Sequence, residues 1–198
     1  MAVSIGEGVG FAIAGGVAIL TIVGGIDDPA RYLLIVAAGA CEGAALATGQ
    51  VLGMRTDRPP AGRWIGATAV AAALAWTLGL LPSTLGLDIG SPGAAVLVVI
   101  GAVVLLASIP VAQWLAMARR GTFRWVPVNM GAWAVAILWT FAPSPFIDER
   151  SPIALVAALF VLAGVLMAVT FAWLTAPLAR KLFFPAGDSA LLNRRNER

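Results

Sequence analysis

Long apolar stretches alternate with short polar interruptions along almost the whole chain. A helix needs about 20 apolar residues to cross a bilayer. Six stretches approach or exceed that length, at about 5–25, 32–54, 64–81, 92–118, 125–141 and 153–179, the third and fifth near the short limit. The interruptions carry turn residues: Asp27-Asp28-Pro29, Pro59-Pro60, Pro82-Ser83, Ser91-Pro92, Pro143-Ser144-Pro145 and Ser151-Pro152. The pattern predicts an all-α integral membrane bundle of six transmembrane helices over residues 1–181, followed by a basic cytoplasmic tail over 182–198. The first stretch reads as a retained span and not as a secretory signal, because it lacks a basic leading segment and carries Glu7 early.

Charge adds a direction. Arg55, Arg58 and Arg63, then Arg119, Arg120 and Arg124, then Arg180, Lys181, Arg194, Arg195 and Arg198 fall in alternate connections and the tail. The other connections hold Arg31 and Arg150 beside Asp27, Asp28, Asp88, Asp148 and Glu149. Lys and Arg collect in cytoplasmic loops, so both termini are expected on the cytoplasmic side of the cell membrane. Composition strengthens the membrane assignment. The chain is 60% hydrophobic and 12% charged, with a mean hydropathy of +0.93, whereas soluble domains carry about 25% charged residues. The lone Cys41 excludes an internal disulfide, and the absence of histidine removes the commonest metal ligand and acid–base group.

Parts of the chain recur. Gln50-Val-Leu-Gly-Met54 with Arg63-Trp64 returns as Gln113-Trp-Leu-Ala-Met117 with Arg124-Trp125, and Ala75-Trp76-Thr77 returns as Leu138-Trp139-Thr140. Glu7, Thr68 and Asn129 are equally spaced, as are Asp27, Asp88 and Glu149. Trp173 with Arg180-Lys181 echoes Trp114 with Arg119-Arg120. Three parallel copies of one helical hairpin account for these matches; the first copy matches least. Over residues 49–145, about half the chain, the pattern resembles a set of uncharacterised small polytopic membrane proteins of actinobacteria and related phyla with repeated Gln-Trp/Arg-Trp hairpins. That resemblance implies a hairpin-built membrane fold and brings no activity with it.

Glu42 is the first candidate for chemistry. It lies about ten residues, or about 15 Å, into the second span. A charge at that depth costs at least about 2.5 kcal/mol, and no predicted span interior holds a Lys or Arg to pair with it. Two readings follow: a proton or cation site, or a neutral acid hydrogen-bonded to a backbone carbonyl or to Thr48, Thr68 or Thr77. Its counterpart in the repeat is aliphatic, near Leu105, which favours function. Gly39/Gly43, Gly49/Gly53 and Gly6/Gly10 form small-xxx-small steps, expected to pack the first two spans closely. A pore-lining role is the sharper alternative.

Gln50 with Arg55 and Gln113 with Arg119 recur near the basic face, and Asn129 sits near the inner end of the fifth span. The Gln/Arg pairs suit lipid phosphate or an anionic solute, against the plainer reading of positive-inside anchoring. Arg63-Trp64 and Arg124-Trp125 read as interfacial anchors. Glu7 reads as a complement to a helix dipole. Pro110 predicts a kink in the fourth span. Leu182, Phe183 and Phe184 read as the interfacial start of the tail.

The chain shows no P-loop, HExxH, CxxC or Ser/His/Asp set, and Lys181 is too near a membrane edge to hold a buried Schiff base. No catalytic residue, metal, cofactor or nucleic-acid partner is therefore expected. The expected partners are the lipid bilayer and partner membrane subunits or further copies of the chain. Three functions fit this sequence, in decreasing order: a small transporter or channel using Glu42, a non-catalytic membrane subunit or scaffold binding partner helices or lipid, and a membrane enzyme. A cavity reaching Glu42 discriminates for the first, and a filled interior with a broad exposed groove for the second.

Overall fold

The computed structural model describes residues 2–54, 57–88, 90–148 and 150–184, apart from the side chains of residues 2–4 and 7. Among them are six α-helices and no strand. They are α1 Ala2–Val23, α2 Asp28–Gly53, α3 Ala61–Thr84, α4 Pro92–Met117, α5 Trp125–Ala136 and α6 Ile153–Phe183. Helix α5 tightens into 3-10 turns at Ile137–Phe141 and Ser144–Phe146. Five helical segments are long and apolar enough to cross a membrane, namely α2, α3, α4, Trp125–Phe146 and α6; the apolar stretch of the first helix is shorter, Gly8–Val23. The chain is an apolar, all-helical bundle of the membrane-protein kind.

The ends of these helices follow from local chemistry. Pro29 and Pro92 occupy first-turn positions, where a missing N–H costs nothing. Ser91 caps α4 by accepting the Ala94 N–H at 3.3 Å. Helix α1 stops at Gly24-Gly25, with Gly25 at φ +61°, a conformation that favours glycine. Pro143 and Pro145 cannot donate to a continuing helix, and the fifth segment finishes in a short 3-10 turn at Ser144–Phe146.

Several boundaries differ from the sequence expectation. Helix α3 begins before Trp64 and runs past Pro82. Helix α6, expected to end near residue 179, runs on to Phe183, so residues 182 and 183 are helix where a tail is expected. Backbone groups in lipid must be satisfied within the chain, which favours continuing a helix over breaking it. The kink expected at Pro110 falls inside α4, which is one helix from Pro92 to Met117. Residues 185–198 of the expected tail lie outside the described residues.

Each helix packs against its neighbours in chain order, and α6 packs back against α1. The six helices thus form a closed ring. One end of the ring carries Arg58, Arg63, Arg119, Arg120, Arg124, Arg180 and Lys181; the other carries Asp27, Asp28, Asp88 and Asp148 with Arg31 and Arg150. Large apolar side chains cover the outside, among them Leu20, Leu33, Leu52, Val99 and Trp173. So much exposed apolar surface is matched to lipid and not to water.

Glycines set the closest approaches. A Cβ on Gly6 would lie 2.6 Å from the Ala45 carbonyl oxygen, and one on Gly10 would lie 2.8 Å from that of Glu42. These residues bring α1 onto the backbone of α2. Gly39 and Gly43 turn the other way: a Cβ on Gly39 would overlap the Trp76 ring, and one on Gly43 would meet Ala72 on α3. Of the glycines expected to join the first two spans, Gly49 lies against Gly6, Gly39 and Gly43 face α3, and Gly53 is exposed. The spacing identifies a close-packing face but does not say which neighbour it meets.

Candidate functional site

The ring axis is filled in layers from the basic end. The first layer is aromatic. Trp64 opens α3, Trp125 opens α5 and Phe183 closes α6; their ring centroids are 5.7 to 6.1 Å apart. All three are buried and form a triangle across the axis. Trp64 and Trp125 are therefore interior residues, not the interfacial anchors their Arg-Trp context suggests. Each indole N–H has a buried glutamine acceptor, which makes the interior position favourable.

Those acceptors make the second layer. Gln50 Oε1 accepts from Trp64 Nε1 at 2.9 Å and from Gln113 Nε2 at 2.9 Å. Gln113 Nε2 also approaches Thr68 Oγ1 at 3.2 Å, and Gln113 Oε1 accepts from Trp125 Nε1 at 3.0 Å. One hydrogen-bonded chain so joins α2, α3, α4 and α5. Asn129 donates to the Trp125 carbonyl at 2.8 Å, while its Oδ1 is buried without a partner among the described residues. Gln50, Gln113 and Asn129 all face inward, out of reach of a lipid headgroup. Arg119 lies outside this layer, half exposed, and donates to the carbonyls of Asp57 and Leu182 at 3.2 and 3.3 Å. It fastens two segments of the basic end. Arg55 lies outside the described residues.

Beyond the polar layer the axis widens into a cavity of about 300 Å³ to which all six helical segments contribute. Its wall runs from Leu46 and Met167 towards Leu80 and Thr140, that is, towards the acidic end. Glu42 is in that wall, the one ionisable side chain there. It is about 21 Å along α2 from Asp28 and about 16 Å from Gly53, from the helical rise. Its Oε2 accepts from Trp76 Nε1 at 2.8 Å. Gly39 makes room for that indole on α2, and Gly10 lets α1 close against the backbone behind Glu42. No described cation pairs with Glu42; the ion pairs Asp28–Arg31 and Asp57–Arg119 are at the two ends of the bundle.

The threonines named as partners for Glu42 are engaged elsewhere. Thr48, Thr68 and Thr77 each donate to the carbonyl four residues back in their own helix, at 2.7 to 2.8 Å. Trp76 is the partner that sequence reasoning missed. It was matched to Trp139, yet the two differ in space: Trp139 donates to Thr170 on α6 at 3.0 Å and is partly exposed, while Ile137 takes the corresponding place on the wall. A signal was present in the numbering. Phe11, Ala72 and Trp133 are equally spaced, Glu42, Leu105 and Met167 nearly so, and all six line the cavity.

The arrangement can hold a small molecule or a proton at one carboxylate, in an apolar chamber stopped at the basic end by two packed layers. Among the described residues no group of His, Cys, Asp or Glu is placed to hold a metal ion. Comparisons with protein-family models, with curated proteins and with solved structures find no match to this chain.

Proposed function

We propose that the protein is a small multi-pass membrane transporter in which Glu42 exchanges a proton or a cation between solution and the interior cavity. The observation that carries this reading is a carboxylate midway along a membrane-length helix, with open space before it and no basic partner among the described residues. Such a residue costs at least about 2.5 kcal/mol, against about 1.5–3 kcal/mol from its one indole hydrogen bond. An aliphatic side chain, as at Leu105 on α4 in the same wall, meets no such cost. A chamber stopped at one end is the shape that alternating access requires of one of its states. With the basic end on the cytoplasmic side, both termini are cytoplasmic and the chamber extends outward. The equally spaced wall residues support three parallel hairpins around the cavity; parallel repeats do occur among transporters.

The test is proton flux into liposomes carrying the purified protein and an internal pH dye. Wild type dissipates an imposed pH gradient; Glu42→Gln does not, while keeping its helical circular dichroism and its elution volume. Equal flux through the two proteins sinks the reading.

A second reading, a non-catalytic membrane subunit, is favoured by a groove on the outside of the ring between α3 and α4. Small residues line it, including Gly66, Ala67 and Ala71 facing Ala107 and Ala112, and such surfaces admit a partner helix closely. Native mass spectrometry of protein released from its own membranes distinguishes the two. A stoichiometric second polypeptide, lost in Ala67→Leu, supports the subunit; its absence from wild type counts against it.

A further inference from the structure

The chemistry of the cavity wall is narrow enough to select a class of solute. Phe11, Leu46, Leu105, Ile109, Ile137 and Met167 present carbon or sulfur only. The polar groups are few and mostly committed. Trp76 Nε1 is held by Glu42 Oε2. Thr140 Oγ1 donates to the Ile137 carbonyl at 2.6 Å. Trp133 Nε1 is buried without a partner among the described residues. Glu42 Oε1 accepts no hydrogen bond from them. What faces the space is one acidic acceptor in an apolar, partly aromatic box.

Most solute classes fit that box badly. Ca²⁺ and Mg²⁺ need at least six oxygen ligands, and the wall offers a carboxylate and one hydroxyl. Anions meet the carboxylate. Sugars and polyols would bury many hydroxyls against carbon, each unpaired group costing about 1–3 kcal/mol. A protonated amine with an apolar body fits. Its N–H donates to Glu42 Oε1, its charge is balanced by the carboxylate, and its apolar body is buried among aliphatic and aromatic side chains. A volume of about 300 Å³ is at the small end of ligand pockets, which limits the body to one ring or a short branched chain.

We infer that the cavity between Glu42 on α2 and Leu105 on α4 is a binding site for a small hydrophobic primary amine in its protonated form. This rests on the reading of the Glu42 cavity as a solute site. The test uses radiolabelled phenethylamine and the full chain in nanodiscs, with empty nanodiscs as background. Wild type binds saturably. Glu42→Gln lowers affinity by about tenfold or more, the loss of one charge-assisted hydrogen bond. Leu105→Phe fills part of the space from α4 and leaves the acid in place, and lowers affinity similarly. Unlabelled phenethylamine displaces the label; propylbenzene, its neutral counterpart, and excess sodium do not. The inference is overturned by binding no greater than to empty nanodiscs, by equal affinity in Glu42→Gln, or by displacement with propylbenzene. Glu42-dependent proton flux without amine binding overturns this inference alone, whereas amine binding without flux overturns transport and leaves the site standing.

Discussion

Gly39 decides whether Glu42 has a partner. Any Cβ there overlaps the Trp76 ring, so Gly39→Ala is expected to push the indole away and cost about 1–3 kcal/mol, as overpacking does. Thermal unfolding followed by circular dichroism measures this, and an unchanged midpoint would refute it. Gln113 holds a comparable position in the polar layer. Gln113→Leu strands the buried Trp125 N–H and removes a donor from Gln50, for about 1–3 kcal/mol. Adding Trp125→Phe removes the stranded donor, so the double variant is expected to lose less than the two single effects combined. At this scale the sequence made Glu42 legible, because a carboxylate in an apolar run is conspicuous by composition. Its partner was not legible: Trp76 sits in another apolar run, and nothing local aims an indole. The threonines were plausible on depth alone, but hydroxyls in helices turn back to their own carbonyls.

Among the elements, apolar length located every helix and missed how several end. Proline reads as a stop in water, yet Pro82 lies inside a helix here, as does Pro177, which the expected sixth span already contained. The fifth segment shows the opposite: its apolar run is continuous, but the helix narrows at Ile137, where Thr140 bonds three residues back and Pro143 follows. The end of α6 was mistaken for the start of a tail because its last apolar residues adjoin Arg180 and Lys181, a pattern shared by helix ends and membrane edges. Phe183 is in fact the third vertex of the aromatic triangle. Phe183→Ala is expected to cost about 3–5 kcal/mol, the usual penalty for emptying a buried phenylalanine site. The check is the thermal midpoint in detergent, beside Phe184→Ala, which removes a more exposed ring and is expected to change it little.

For the whole molecule, the charge asymmetry between the two ends was readable directly from the loops, since it needs no tertiary contact. It yields a labelling prediction. In a Cys41→Ser background, single cysteines at Ser83 or Ser151 are expected to react with an impermeant maleimide in intact cells, and one at Arg120 only after permeabilisation. The reverse pattern would invert the orientation. Closure of the ring was not readable. It depends on Phe11 of α1 meeting Gly164 of α6, a contact between helices almost a full chain apart. The proposed repeat indicated hairpins, but not which faces they turn towards a shared axis.

That closure has a consequence for how the protein is made. The helices leave the ribosome in order, and α1 has only α2 beside it until α6 arrives to cover Phe11 and complete the triangle. Without α6 the ring is open, and the cavity lacks Met167 from its wall. The last helix acts as the keystone, and a chain cut short before it is expected to be degraded early rather than to accumulate as a smaller folded protein.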